Sequence, residues 1–528
     1  MESREAERNA LGAFIVFFAG MLSQALWLVA VPFSWTWDSS TNLAVGRFYF
    51  HLPVEHWNVW QYYAPGYGLF LSLLGIHHFD TLAGVRFGIL IIGGLMPLLL
   101  FLMMWPVAPR AALVASLGYA LTFGNAMFST NLLTYHLCAF TLLLIGVFFT
   151  RHLTRPSLAN LVALALAAAL ANAVRQIGFY VFLAAVAALV VPTLFERTRI
   201  WAGLKSAVLT LAIYAAATSA LSLARQAVLG GPFQFGLARD IGGRVALQAA
   251  YYPASVFLRE FYPADDPVLV RPENGPASRK LYQGVAAFFL LPGVDFSYLV
   301  PDDPTNRDAA LRNLISSPVN ITNTYVIWWA LDRIYGIDEG DRIAREAVLE
   351  TIFAQPRIMK YYIWNFWQSL FGPPMNLNYA CRATPCFAAE LPKFYGYEFT
   401  DAAGEKTFSR VAGPALIAEM KREHERADTM RPYGESIYAV ARLPFVFKPL
   451  LTALLFASVL LATGRARSLA AFCLLAMLAN NATTSLAWPM LPRYWTPVIP
   501  LIHAGAAIAV VQIVAIFAAI RPRRTRSS

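Results

Sequence analysis

The amino-acid sequence predicts an all-α polytopic membrane protein of about ten transmembrane helices, with a mixed extracytoplasmic domain between helices seven and eight. Three observations carry that expectation. Of the 528 residues, 58% are hydrophobic and only 14% charged, where a soluble chain would carry roughly a quarter. Apolar runs of about 18 to 25 residues recur, the length that crosses the hydrocarbon of a bilayer. The basic residues between those runs gather in every second loop, so that one face receives nearly all of them.

The runs lie near 10–33, 82–105, 111–128, 132–150, 157–174, 177–195, 203–228, 444–463, 468–487 and 497–520. The polar segment 1–9 enters the first run without a small-residue cleavage site, so it reads as a retained anchor rather than a removable signal peptide. One face receives Arg4 and Arg8, Arg110, Arg151 and Arg155, Arg197 and Arg199, Arg465 and Arg467, and a tail with Arg521, Arg523, Arg524 and Arg526. Leaving aside the large domain, the loops of the other face carry only Arg47, Arg175 and Arg493. By the positive-inside rule the first face, with both termini, is cytoplasmic. The net charge of +11 is therefore an orientation signal; the expected partner is the lipid bilayer, and no nucleic acid is expected. The chain divides into a seven-helix module at 1–228, an extracytoplasmic domain at 229–443, and a three-helix segment with a basic cytoplasmic tail at 444–528.

Two outer segments are too long for simple turns. The first, 34–81, holds Asp38 and the aromatic stretch Tyr62-Tyr63-Ala64-Pro65-Gly66-Tyr67. The apolar residues 66–76 that follow are too few to span, and suit a short interfacial helix. The second, 229–443, is rich in Pro, Asp, Arg and aromatics. Within it 341–371 reads as helical with a break at Pro356, and Asp338, Glu339 and Asp341 place negative charge where the helix dipole favours it. The apolar run 285–300 contains Pro292, Gly293 and Asp295, and reads as core or as membrane-skimming. Cys381 and Cys386 can close a small disulfide loop in an oxidising compartment; free thiols are the alternative. Cys138 and Cys473 fall inside spans as packing residues.

Ionisable residues in membrane segments tend to mark function, and here they share the outer level: Arg86, Arg175, Arg225, Lys448 and Arg493. A coupled transporter is expected to place acids or broken helices at the midplane instead. Arginines at one level suit a phosphate, because the guanidinium fork makes paired bonds to its oxygens; snorkelling to headgroups is the bland reading. Arg175 and Arg493 sit in tight turns where snorkelling is short, which favours phosphate for those two. His51, Glu55 and His56 flank Pro53, which breaks the helix a zinc-protease motif needs. A lone acid is a poor magnesium or calcium site, so no cofactor is expected, a divalent metal being the less favoured alternative. His136, inside the fourth span, reads as a hydrogen-bonded packing residue.

Five stretches follow one another in order: Trp37-Asp38 after the first helix, Tyr63-Ala-Pro65-Gly66-Tyr67-Gly-Leu-Phe-Leu-Ser-Leu-Leu, Val85-Arg86-Phe87, Ala173-Val-Arg175-Gln176-Ile-Gly178, and Leu491-Pro-Arg493-Tyr494-Trp-Thr-Pro497-Val-Ile-Pro500. Together they resemble the GT-C superfamily of integral-membrane glycosyltransferases, in the branch of protein O-mannosyltransferases, lipid A aminoarabinose transferases and bacterial core-sugar transferases. The resemblance implies a polyprenyl-phosphate sugar donor, a lipid, glycan or protein acceptor, and a catalytic base in the first outer loop. Carried over, Asp38 is that base, Arg175, Arg493 and Arg86 bind the lipid phosphate, and Tyr63, Tyr67, His56, Gln176 and Tyr494 are substrate-pocket candidates. The implied site is the outer, periplasmic face of a cytoplasmic (inner) membrane. Some members carry two adjacent acids where this chain has Asp38-Ser39-Ser40. Asp38 also stands where an acid can cap a helix, and both roles remain open at this point. The competing functions are a transporter or flippase for a lipid-linked saccharide, and a non-catalytic cell-envelope protein.

Overall fold

The computed structural model describes residues 2–33, 37–52, 63–195, 200–229, 242–294, 296–297, 299–316, 321–372, 412–487 and 492–520. Among these the chain is all-helical, without a strand. In order the helices are α1 Glu2–Ala30, α2 Trp37–Tyr49, α3 Gly66–Leu73, α4 Ala83–Met104, α5 Pro109–Leu121, α6 Tyr135–Thr154, α7 Leu158–Val174, α8 Ile177–Phe195 and α9 Ile200–Leu229. They continue with α10 Gly242–Tyr251, α11 Pro253–Phe261, α12 Pro276–Phe288, α13 Arg307–Ser316, α14 Ile321–Tyr335, α15 Ile337–Ala354 and α16 Ile358–Phe371. The last are α17 Pro414–Ala441, α18 Leu443–Val446, α19 Lys448–Leu461, α20 Gly464–Ala487, α21 Pro492–Trp495 and α22 Ile499–Ile520.

Each of the apolar runs read from the sequence contains a helix. Six stretches are long and apolar enough to cross a membrane: Asn9–Ala30, Ala83–Met104, Tyr135–Thr154, Trp201–Ala227, Gly464–Leu486 and Thr496–Ala519. A seventh is the pair Thr429–Val446 and Lys448–Leu461, bent by 46°, with prolines at 444 and 449 where amide donors are lost. Leu158–Val174 and Ile177–Val190 are apolar but shorter.

The chain folds as two compact units. One comprises Met1–Arg239, Leu370–Asn480 and Leu491–Ser528; the other comprises Asp240–Ser369 and Asn481–Met490. The second is narrower than the 229–443 segment expected from sequence, and it is helical where a mixed fold was expected. The prolines explain the helicity: Pro253 and Pro276 stand in the first turn of α11 and α12, where a missing N–H costs nothing and the fixed φ suits the helix. Its core gathers Leu247, Tyr251, Leu281, Val285, Ile327, Leu331, Ile343 and Ala347, and Phe288, Phe289, Phe296 and Leu299 of the 285–300 run lie in it as well. The break expected at Pro356 separates α15 from α16.

The α17 helix belongs to the first unit because its carboxylates are used there. Glu419 Oε2 accepts the Leu82 N–H at 2.8 Å and the Thr81 hydroxyl at 2.9 Å, capping the start of α4. Asp80 in turn accepts the Ala415 N–H at 2.7 Å, capping α17. Farther along α4, Pro97 lies inside the helix and cannot donate to the Gly93 carbonyl. The Asn125 side chain supplies the missing donor at 2.8 Å, donates also to the Gly20 carbonyl of α1 at 3.0 Å, and accepts from Ser23 Oγ at 2.9 Å.

Candidate active site

Asp38 is the second residue of α2, in a first turn whose dipole favours a carboxylate; its side chain lies outside the described residues. The residues after it, Ser39, Ser40, Thr41 and Asn42, are buried. Ser39 Oγ donates to the Asn131 carbonyl at 3.0 Å and Asn42 Nδ2 to the Leu132 carbonyl at 3.3 Å. The receiving segment is a single 3-10 turn, Ser129–Asn131, bounded by the left-handed residues Phe128 (φ 60°) and Leu132 (φ 48°), with a third, Phe123 (φ 53°), shortly before it. Such conformations cost about 1–3 kcal/mol each and persist only where surroundings dictate them. Here Gln24 Nε2 donates to Ser129 Oγ at 2.9 Å and Trp27 Nε1 to Thr130 Oγ1 at 3.3 Å. His136 Nε2 meets the Asn125 carbonyl at 2.8 Å, the packing role expected of it.

The same segment continues to Thr134 and Tyr135, which meet Arg175. The residue ends α7 in an extended conformation, and its Nη1 donates to Thr134 Oγ1 at 3.2 Å. The guanidinium lies 4.2 Å from the Tyr135 ring centre and 5.6 Å from that of Tyr494; the two rings are 5.7 Å apart. Arg175 is half-buried, and among the described residues no carboxylate pairs with it. A guanidinium fits this cradle because it is planar and weakly hydrated, and stacks on aromatic faces.

The Pro65-Gly66 turn presses on the end of α7: a Cβ at Gly66 would stand 2.7 Å from the Ala173 carbonyl oxygen. The α3 helix then crosses α2 where Gly68 meets Gly46, a Cβ on Gly68 falling 2.7 Å from the Gly46 nitrogen. Tyr67 is buried and stacks on Phe70 at 5.9 Å, and burial pushes its phenol far above the usual range. Tyr63 is half-buried and Gln176 exposed. Beyond α3, burial holds the His77 imidazole down at about 4, with Arg47 adding to the effect.

Comparison with protein-family models and with curated proteins returns no match.

Arg86 is differently placed from Arg175. Its Nη2 lies 2.7 Å from Glu423 Oε1 and 3.4 Å from Glu419 Oε1, and its guanidinium stands 5.0 Å from the Phe33 ring centre. Glu423 Oε2 also accepts from Arg426 at 2.8 Å and from the Phe33 N–H at 3.1 Å. Arg86 is thus held by two carboxylates of α17. Arg493 is the second residue of α21; its side chain, together with His56, Cys381 and Cys386, lies outside the described residues. Its neighbour Tyr494 reaches the Arg175 cradle, and Lys448 Nζ lies 5.4 Å from the Trp495 ring centre. Among the described residues no three His, Cys, Asp or Glu side chains gather as a metal site.

The structure therefore joins Arg175, Tyr494, the Pro65-Gly66-Tyr67 turn and the first turn of α2 around residues 129–135. Sequence reasoning missed Thr134 and Tyr135. Their only local signal is a Thr-Tyr-His opening to an otherwise apolar run, which equally marks an aromatic belt.

Proposed function

We propose that the chain is a GT-C-type glycosyltransferase that moves a sugar from a polyprenyl-phosphate donor to an acceptor hydroxyl at the outer face of a bacterial inner membrane. In this reading it has ten membrane helices, with the shorter α5, α7 and α8 among them, and both termini are cytoplasmic. The second unit and the first outer loop are extracytoplasmic. The observation that carries the proposal is Arg175: a half-buried cation in a tyrosine cradle, with no carboxylate partner among the described residues. A charge partly withdrawn from water without a counter-ion is costly, and an anionic phosphate supplies one. Arg86 already has its carboxylates, so Arg175 and Arg493 are assigned to the phosphate.

The chemistry then follows. Asp38 takes the proton of the acceptor hydroxyl as its oxygen attacks the anomeric carbon. The bond from that carbon to the phosphate oxygen breaks, and polyprenyl phosphate leaves with the electron pair. One displacement with one base inverts the anomeric centre, as in single-displacement glycoside hydrolysis. Arg175 stabilises the charge growing on the leaving oxygen, an electrostatic effect worth about 10²–10³ in rate per donor. General-base catalysis contributes a further factor of roughly 10²–10⁴.

The decisive substitution is Asp38→Asn in the purified, reconstituted chain. Transfer from a polyprenyl-phosphate sugar falls by about 10²–10⁴, while the thermal unfolding midpoint stays put. Loss of a helix cap alone would instead lower stability by about 1 kcal/mol and leave transfer standing. Full transfer by the Asn variant would end the assignment.

A further inference from the structure

α16 runs beside the end of α20, a helix long and apolar enough to cross a membrane. Asn365 Nδ2 donates to the Ser485 carbonyl at 2.8 Å, and Asn481 Nδ2 donates to the Ser369 carbonyl at 3.1 Å. As residue numbers rise in α16 they fall in α20, so the two are antiparallel. Residues 481 and 485 belong to the stretch Gly464–Leu486 that is apolar and long enough to cross a bilayer. Four helical residues advance about 6 Å, so Ser369 stands about one turn deeper along that stretch than Asn365. Side-chain amides joining helices to each other's carbonyls are how helices associate where water is absent.

The opposite side of α16 is apolar and exposed. Met359, Ile363 and Trp367 are 40%, 65% and 60% exposed, and their spacing of four aligns them in one ridge. Residues 363 and 367 each lie two positions from Asn365, about 200° around the helix and so nearly opposite it. The polarity also changes along the axis. The first turn carries Lys360, bound to Asp265 at 2.8 Å. From Tyr361 to Phe371 no charged residue occurs, and six of those residues are aromatic, the composition of a membrane-interface belt.

We propose that α16 is seated in the bilayer: its last two turns enter the leaflet in which α20 ends, and the Ile363–Trp367 ridge contacts lipid acyl chains. Met359 then lies at headgroup level and the Lys360–Asp265 pair in water. The second unit is in this way moored to the membrane surface by a helix that does not cross it. Lipid accounts for what a protein partner does not: the ridge lies along the helix that packs on a span, and it becomes less polar in the direction in which that span goes deeper.

Spin labels test the seating. Ile363→Cys, Trp367→Cys and, as an aqueous reference, the exposed site Asp308→Cys are placed in a background with the native cysteines replaced by serine. Each chain is reconstituted in nanodiscs of phosphatidylcholine and phosphatidylglycerol. At 363 and 367 collision with molecular oxygen should exceed collision with nickel-EDDA by several-fold, the reverse of position 308. Nickel-EDDA access equal to that at 308, or exclusion of both reagents by a protein cover, overturns the proposal. The unsubstituted chain provides a second reading. A phospholipid with a photoactivatable group in its acyl chain should label peptides from 358–371 and not those from 337–354; an unlabelled α16 overturns it independently. Neither readout involves sugar transfer, so the outcome is separate from that of the enzymatic reading.

Discussion

Asn125 does the work of a proline's missing amide. Pro97 leaves the Gly93 carbonyl without its helical donor, and Asn125 restores one while tying α1 and α4 together and holding its own carbonyl against His136. An unsatisfied buried carbonyl costs about 1–3 kcal/mol. Asn125→Ala should lower stability by about that amount in detergent unfolding, and Ser23→Ala, which removes a hydroxyl donor alone, by about 1 kcal/mol or less. An Asn125→Ala chain as stable as the parent would show that the carbonyl finds water instead. At this scale the sequence was partly legible. Pro97 could be seen in an apolar run, but its remedy lies 28 positions on in a non-helical segment, and no periodic pattern points to it. The position of Arg175 between two apolar runs was legible, since it ends α7 just before α8 begins. Its tyrosine cradle was not, since Tyr135 and Tyr494 come from distant parts of the chain.

Helices here are capped by carboxylates from distant parts of the chain. Glu419 caps α4 and Asp80 caps α17. In the second unit, Glu350 accepts the Ala277 and Ser278 N–H groups at 2.9 and 2.7 Å, and Asp341 accepts that of Arg244 at 3.0 Å. The first-turn N–H groups that a local Ser or Asp would satisfy are used as joints. The Arg86–Glu423 pair extends the joint between α4 and α17. Exposed pairs are worth about 0–1 kcal/mol, while removing one partner of a buried pair costs about 3–5 kcal/mol. This pair, with side chains 29% and 8% exposed, lies between. Glu423→Leu should therefore cost about 2–3 kcal/mol in thermal unfolding. The double change Arg86→Met with Glu423→Leu should recover most of it and retain transfer activity. Strictly additive losses would mean the two residues are not coupled. Loss of donor binding in a stable double variant would return Arg86 to the phosphate.

For the whole molecule, composition was enough for the class, and each apolar run does contain a helix. What it could not show was where the second unit ends. The helical pattern of α17 is equally consistent with either unit, and membership is decided by where Glu419 and Glu423 find their partners. A mixed domain was expected between helices seven and eight, yet two prolines of that segment open helices. The proposed orientation rests on charge alone and is checked directly. A green fluorescent protein fused after Ser528 should fluoresce in cells, and an alkaline phosphatase fused after Ser316 should be active. A dark C-terminal fusion that is exported would reverse the topology.

The cap on α4 also sets a clock. Glu419 lies 337 residues beyond Leu82, so at about 5–20 residues per second the ribosome needs roughly 20–70 seconds to deliver it after α4 has emerged. For that interval the start of α4 and the cation at Arg86 have no carboxylate from α17, and a snorkelling side chain is the available refuge. The first helices thus wait in the membrane half-finished, and closure of the bundle is among the last events of synthesis rather than the first.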